Sequence, residues 1–325
     1  MNVINSKLDK VFPYMIPTAI FVGMFLGEGI AGWQGAVPWL FALVTFVGSL
    51  KLSFKDMRAT LQKPKPILII LLVLRILMPL WALAVGSLIF PYDGLTRQGL
   101  LLFALIPVGV NSAVWTVMFG GNLALSLSVI IIDTLLSPFV LPASLLLLTG
   151  TQVEMDSVGM MVSLLQMIVI PSILGMAVNQ LLKGELPKAW TPRFGMLSKI
   201  ALILVVLING GNVAPHFQSI DAHLFRIMGA IILLATSAYV VSWLLARLGK
   251  FSEPDTVSIV FGGGMRNVST GIVLAVAYFP AAAAVPVVTS IFFQQIICAI
   301  FGHLIRKGQK RKAENLQFRR KSLEI

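Results

Sequence analysis

Hydropathy limits what this chain can fold into more than any motif does. About 20 mostly apolar residues cover the hydrocarbon core of a bilayer. The sequence offers ten such stretches, near residues 12–32, 36–53, 66–90, 98–119, 122–149, 157–182, 195–213, 224–247, 256–279 and 281–305. With 57% hydrophobic and only 12% charged residues, the chain falls well short of the roughly 25% charge that gives a soluble domain its water-facing surface. The connections are short, leaving no sizeable domain outside the membrane. The expected fold is therefore an all-α membrane protein of ten transmembrane helices. Lys7 and Lys10 ahead of the first stretch also suggest a cleavable leader, but the stretch is long for one and is read as a helix.

A formal charge of +12 would suggest a polyanion partner in a soluble protein. Here it sets orientation, because Lys and Arg gather in the cytoplasmic loops. Alternate connections hold 21 of the 25 basic residues, including the tail from Arg306 to Lys321, while the opposite connections hold only Arg97 and Arg226. Both termini are expected in the cytoplasm, in a multi-pass protein of the cytoplasmic membrane whose surroundings are lipid, with no nucleic-acid partner. The one cysteine, Cys298, excludes an internal disulfide.

Five stretches precede residue 150 and five follow it, so two odd-numbered halves must lie inverted relative to each other. The organisation expected is a first repeat over 1–150, an inverted second repeat over 151–308 and a basic tail over 309–325. Inverted-repeat carriers bind substrate near the midplane, between discontinuous helices. Helix breakers fall in the fourth stretch of each half: Pro107, Gly109, Asn111 and Ser112 in one, Gly262, Gly263, Gly264 and Asn267 in the other. Glycines also permit close helix packing, but two breaks at matching positions favour a binding centre.

Three ionisable residues lie deep within spans: Arg75, Asp133 and Arg266. At 1.5 Å per residue they sit roughly 13 to 18 Å from the cytoplasmic ends, in one layer of a core about 30 Å thick. Charges at that depth are functional hypotheses by default. Two bases against one acid leave a surplus positive charge, which suits an anionic ligand. Asp133 shares a helical face with Ser126 and Ser137. It is expected to pair with Arg266, for structure alone or as part of a transport path. Arg75 is either an unpaired source of field or a side chain that reaches out of the bilayer.

These residues resemble the bile acid:sodium symporter family and its bacterial relatives. The run GNLALSLSVIIIDTLLSPF over 121–139 is similar to the start of that family's fifth helix, and GMRN over 264–267 is similar to its GMQN at the ninth-helix break. The resemblance implies a core domain holding two crossed, broken helices, a panel domain, and import of organic anions driven by two sodium ions. Ser112 and Ser126 match sodium-ligand positions. The remaining ligand positions carry Leu74, Ala113, Ile130, Gly262 and Arg266, where the family has glutamine, asparagine, threonine, glutamate and glutamine. A sodium site needs several oxygen ligands, so the expectation is that Arg266, held by Asp133, stands in for bound sodium, with Arg75 and Ser126 in the same coupling group. An ordinary sodium-coupled symporter of bile acids or pantoate-like acids is the alternative.

The expected substrate contacts are Asn111, Ser112, Asn267, Ser269 and Gln294, amides and hydroxyls suited to a small carboxylate. Gln294 is equally suited to an interhelical hydrogen bond. No cofactor other than sodium is in view. An intramembrane enzyme would need metal ligands or two carboxylates at depth, whereas His216, His223 and His303 lie at span ends and Asp133 has no second acid. A channel or membrane receptor is a second rival, since broken helices also line pores, and a metalloid-anion exporter of related ten-span design is a third.

Overall fold

A computed structural model of the chain describes residues 15, 18–50, 52, 64–149, 156–184, 190–214 and 221–321. Much of the expected first span before residue 18, several of the basic residues that set orientation (Lys7, Lys10, Lys51, Lys55, Arg58, Lys63 and Lys188) and His216 lie outside the described residues.

The described chain is helical. In order it forms α1 (18–26), α2 (Glu28–Ala31), α3 (Val37–Ser49), α4 (Pro64–Ile89), α5 (Gly94–Leu105), α6 (Asn111–Met118), α7 (Leu123–Thr149), α8 (Ser157–Leu181), α9 (Trp190–Val213), α10 (Ala222–Leu248), α11 (Glu253–Gly264), α12 (Val268–Tyr278) and α13 (Ala281–Lys321). Among the described residues seven helical stretches are long and apolar enough to cross a membrane: Gly29–Ser49, which joins α2 to α3, and α4, α7, α8, α9, α10 and α13. The stretches expected over 98–119 and 256–279 each appear as two short helices, α5 with α6 and α11 with α12. The tail expected from 309 continues α13 as helix to Lys321.

Local sequence explains where the helices start and bend. Asp93, Asp156, Asp221, Ser252 and Asn267 each cap a helix by accepting a first-turn N–H, which otherwise has no intrahelical partner. α4 winds wider, in a π turn, over Val73–Leu77, just before Pro79, and Arg75 sits in that turn. π turns recur at functional sites. Within α7, Pro138 brings no N–H to the Thr134 carbonyl, and the Ser137 hydroxyl donates to it instead at 2.7 Å.

α3 packs against α8 and α9, and α2 against α9. α4 to α7 and α10 to α13 pack together as a second group, in which Trp115, Phe119, Phe261, Tyr239 and Phe301 form a chain of aromatic contacts joining α6, α11, α10 and α13. Between the groups, α8 lies on α7, and α9 on α12 and α13. Tyr278 at the end of α12 reaches α8, where its hydroxyl donates to the Gly159 carbonyl at 2.8 Å and meets the Ser163 hydroxyl.

Candidate functional site

The two breaks meet. Residues 106–110 and 265–267 run antiparallel and form a one-pair bridge centred on Val108 and Arg266. Gly109 N–H donates to the Met265 carbonyl at 3.3 Å, and Asn267 N–H to the Pro107 carbonyl at 2.8 Å. At Gly109 a Cβ would come within 2.9 Å of the Arg266 carbonyl oxygen, so glycine is what lets the strands approach. Backbone groups freed from helices need partners at this depth, and side chains supply the rest. Val108 N–H donates to Asp133 Oδ2 at 2.8 Å. Arg266 N–H donates to Gln294 Oε1 at 3.0 Å, and Gln294 Nε2 returns a bond to the Arg266 carbonyl at 2.9 Å.

Two sequence expectations need correction here. The glycine triplet is not the unwound stretch, because Gly262–Gly264 form the last turn of α11 and the break begins at Met265. The triplet serves packing: a Cβ on Gly264 would lie 2.4 Å from the Tyr239 ring, and one on Gly263 2.1 Å from Ser242 Oγ. The second correction concerns charge. Asp133 pairs with Arg75 rather than Arg266, with Arg75 Nη2 and Nε at 2.7 and 2.8 Å from Oδ1. Arg75 is therefore neither unpaired nor reaching out of the bilayer. Depth alone placed three charges in one layer and could not choose between partners. The choice follows from α4 lying on α7, which brings Arg75 onto the carboxylate while the Arg266 side chain turns to the carbonyls of Ala104 and Gly263.

Both guanidinium groups also serve helix ends. α5 ends at Leu105 and α11 at Gly264, leaving last-turn carbonyls without helical donors. Arg75 Nη1 donates to the Leu105 carbonyl at 2.8 Å. Arg266 donates from Nε to the Ala104 carbonyl at 3.3 Å and from Nη1 to the Gly263 carbonyl at 2.8 Å. A cation at a helix C-terminus is favourable, and here two stand at two such ends. Arg266 is 3% exposed, has no carboxylate within 4.0 Å among the described residues, and its Nη2 donates to none of them.

Around this crossing Asn111 is exposed and Ser269 half-buried, and neither side chain bonds a described residue. Asn267 Oδ1 caps α12 through Thr270 N–H, and its amide nitrogen has no partner among the described residues. Gln294 is committed to the Arg266 backbone, as an interhelical hydrogen bond would require. Ser112 is buried, and its hydroxyl has no partner among the described residues. Ser126 donates to Thr116 Oγ1 at 2.9 Å. Sequence reading missed Thr116 and Thr270, the latter a second buried hydroxyl without a described partner. Spacing carried the signal: Thr116 lies one turn after Ser112, and Thr270 three residues after the Asn267 cap.

The positions at which the resemblance implies sodium ligands do not gather oxygens. Leu74, Ala113 and Ile130 belong to one buried apolar cluster with Ile70 and Val108, and a Cβ on Gly262 would meet Ile70 at 3.2 Å. Of these positions Ser112 and Ser126 keep a side-chain oxygen, and Ser126 is bonded to Thr116.

Most of the chain is similar in sequence to known proteins. A family model described as the SBF-like CPA transporter family matches residues 12–309. An uncharacterized protein of Bacillus subtilis, YbaS, is 43% identical over 91% of this chain and 96% of its own length. An uncharacterized sodium-dependent transporter of the same organism, YocS, is 28% identical over 75% of this chain and 74% of its own. A probable chloroplastic sodium/metabolite cotransporter of Arabidopsis thaliana, BASS1, is 26% identical over 96% of this chain and 77% of its own.

Proposed function

Because the chain belongs to the SBF-like CPA transporter family, we propose that it is a secondary transporter of small organic carboxylates in which a fixed guanidinium takes the place of bound sodium. The chain is a multi-pass membrane transporter and not an enzyme. The finer reading has ten spans in two inverted repeats, both termini in the cytoplasm of a cell whose cytoplasmic membrane holds the protein, and alternating access between a panel (α1–α3, α8, α9) and a core (the remaining helices). The reciprocal pairing of residues 107–109 with 265–267 supports the inverted repeat, since it relates the two breaks by an approximate two-fold axis.

The observation that carries the reading is Arg266 donating to two half-helix carbonyls at the crossing. A cation coordinated by main-chain oxygens is what a sodium ion would supply, and here it is covalently attached. Asp133 neutralises Arg75, so Arg266 provides the surplus positive charge. Asn111, Asn267 and Ser269 have polar groups free to orient a bound carboxylate, near the positive N-terminal ends of α6 and α12.

Uptake of radiolabelled monocarboxylates into proteoliposomes, with sodium present or replaced by choline, tests this. The expected result is equal flux in both media. Flux that requires a sodium gradient contradicts it and supports the second reading, an ordinary sodium-coupled symporter. That reading draws on the free Ser112 and Thr270 hydroxyls and on the sodium-dependent relatives.

A further inference from the structure

From the charge state of the empty site we infer that this protein works as an anion exchanger, swapping one carboxylate for another across the membrane, rather than as a carrier that returns empty. The inference rests on the proposed carboxylate transport and adds its mode.

The charges at the crossing do not balance. Arg75 and Asp133 form a bonded pair with side chains 9% and 0% exposed, and its net charge is zero. Arg266 is also buried, but among the described residues its side chain bonds only the carbonyls of Ala104 and Gly263, which solvate a cation without neutralising it. With no other carboxylate among the described residues within an ion-pair distance of Arg266, the empty centre carries one uncompensated positive charge. A bound monocarboxylate cancels it. The free Nη2 of Arg266 is a donor that can take a carboxylate oxygen.

Alternating access passes through a state in which both entrances are shut and the site is without bulk water. A buried charge lacking a partner is strongly penalised there, whereas a paired one is not. The loaded centre crosses as a neutral unit. The empty centre would cross as a cation, near the midplane, where charge is most expensive. A conventional sodium symporter avoids this difficulty because its cation leaves with the substrate. A guanidinium cannot leave, so the return step is slow unless a second anion binds. Exchange of one monocarboxylate for another then moves no net charge, while net transport moves one.

Purified protein in proteoliposomes, preloaded with [14C]pyruvate or [14C]pantoate in chloride-free sulfate medium, provides the test. Efflux is expected to be at least about tenfold faster with the same unlabelled anion outside than in sulfate alone, a ratio equal to about 1.4 kcal/mol in the return barrier. The exchange rate should not respond to a potassium diffusion potential set with valinomycin. Efflux equally fast without external carboxylate overturns the exchange inference and leaves sodium-free carboxylate transport standing. A requirement for sodium, or no flux of either anion in any medium, overturns the underlying reading instead. Arg266→Lys should keep the ratio, and Arg266→Gln should bring it close to one. If neither variant folds, the wild-type ratio decides.

Discussion

The Asp133 carboxylate holds three nitrogens at once: two of the Arg75 guanidinium and the Val108 N–H across the bridge. Replacing it with asparagine keeps an acceptor for Val108 and strands Arg75 as a second uncompensated cation beside Arg266. Breaking a buried pair in this way costs about 3–5 kcal/mol. Asp133→Asn should therefore lower the thermal unfolding midpoint in detergent by far more than a surface substitution. Adding Arg75→Met to Asp133→Asn should recover part of the loss, because the stranded charge is removed. If the double variant is as unstable as the sum of the singles, the pair is not what holds these residues together.

At the scale of elements, each half-helix break is fixed by packing around it. The α11 glycines lie against Tyr239 and Ser242 of α10, and Tyr239 is fully buried and has no room to withdraw. Gly264→Ala should destabilise the protein by about 1–3 kcal/mol through overpacking. Gly308→Ala, on an exposed stretch of α13 with nothing near its Cβ, should be neutral or stabilising by up to about 1 kcal/mol. Thermal unfolding of the two variants side by side checks the contrast. A second joint ties the turn after α6 to the start of α11, where Asn122 N–H donates to Ser258 Oγ at 2.8 Å and Asn122 Nδ2 to Asp255 Oδ1 at 2.8 Å.

Much of this element-level organisation was legible in the sequence, because hydropathy and helix breakers act locally. The helical class and both breaks follow from residue type and spacing. What spacing did not reveal was partnership. Whether Asp133 meets Arg75 or Arg266 depends on which helices lie side by side, and whether three glycines unwind a helix or admit a neighbour depends on Tyr239, 25 residues earlier in the chain. Likewise, the two roles open to Gln294 differ only in whether the Arg266 backbone lies within reach.

Over the whole molecule, the two helix groups are joined where Tyr278 of α12 bonds the Gly159 carbonyl and Ser163 of α8. In the orientation and alternating-access cycle proposed above, α12 ends on the outer face, so these bonds would close the outer side and would have to break in each cycle. Tyr278→Phe removes them and should shift the resting population toward the outward-open form. Spin labels at Ala277 and Val158, both exposed, would then show a longer mean separation by pulsed electron resonance; an unchanged distance distribution would deny Tyr278 that role. The account as a whole turns on Arg266 replacing a mobile cation, and linkage makes this directly measurable, since an ion that binds with the substrate must tighten its binding. The decisive measurement is the affinity of the purified protein for a monocarboxylate such as pyruvate or pantoate, titrated by calorimetry at constant ionic strength while sodium replaces choline. The account predicts measurable binding whose affinity does not change with sodium. Affinity that rises with sodium concentration, or that vanishes without it, would contradict the account.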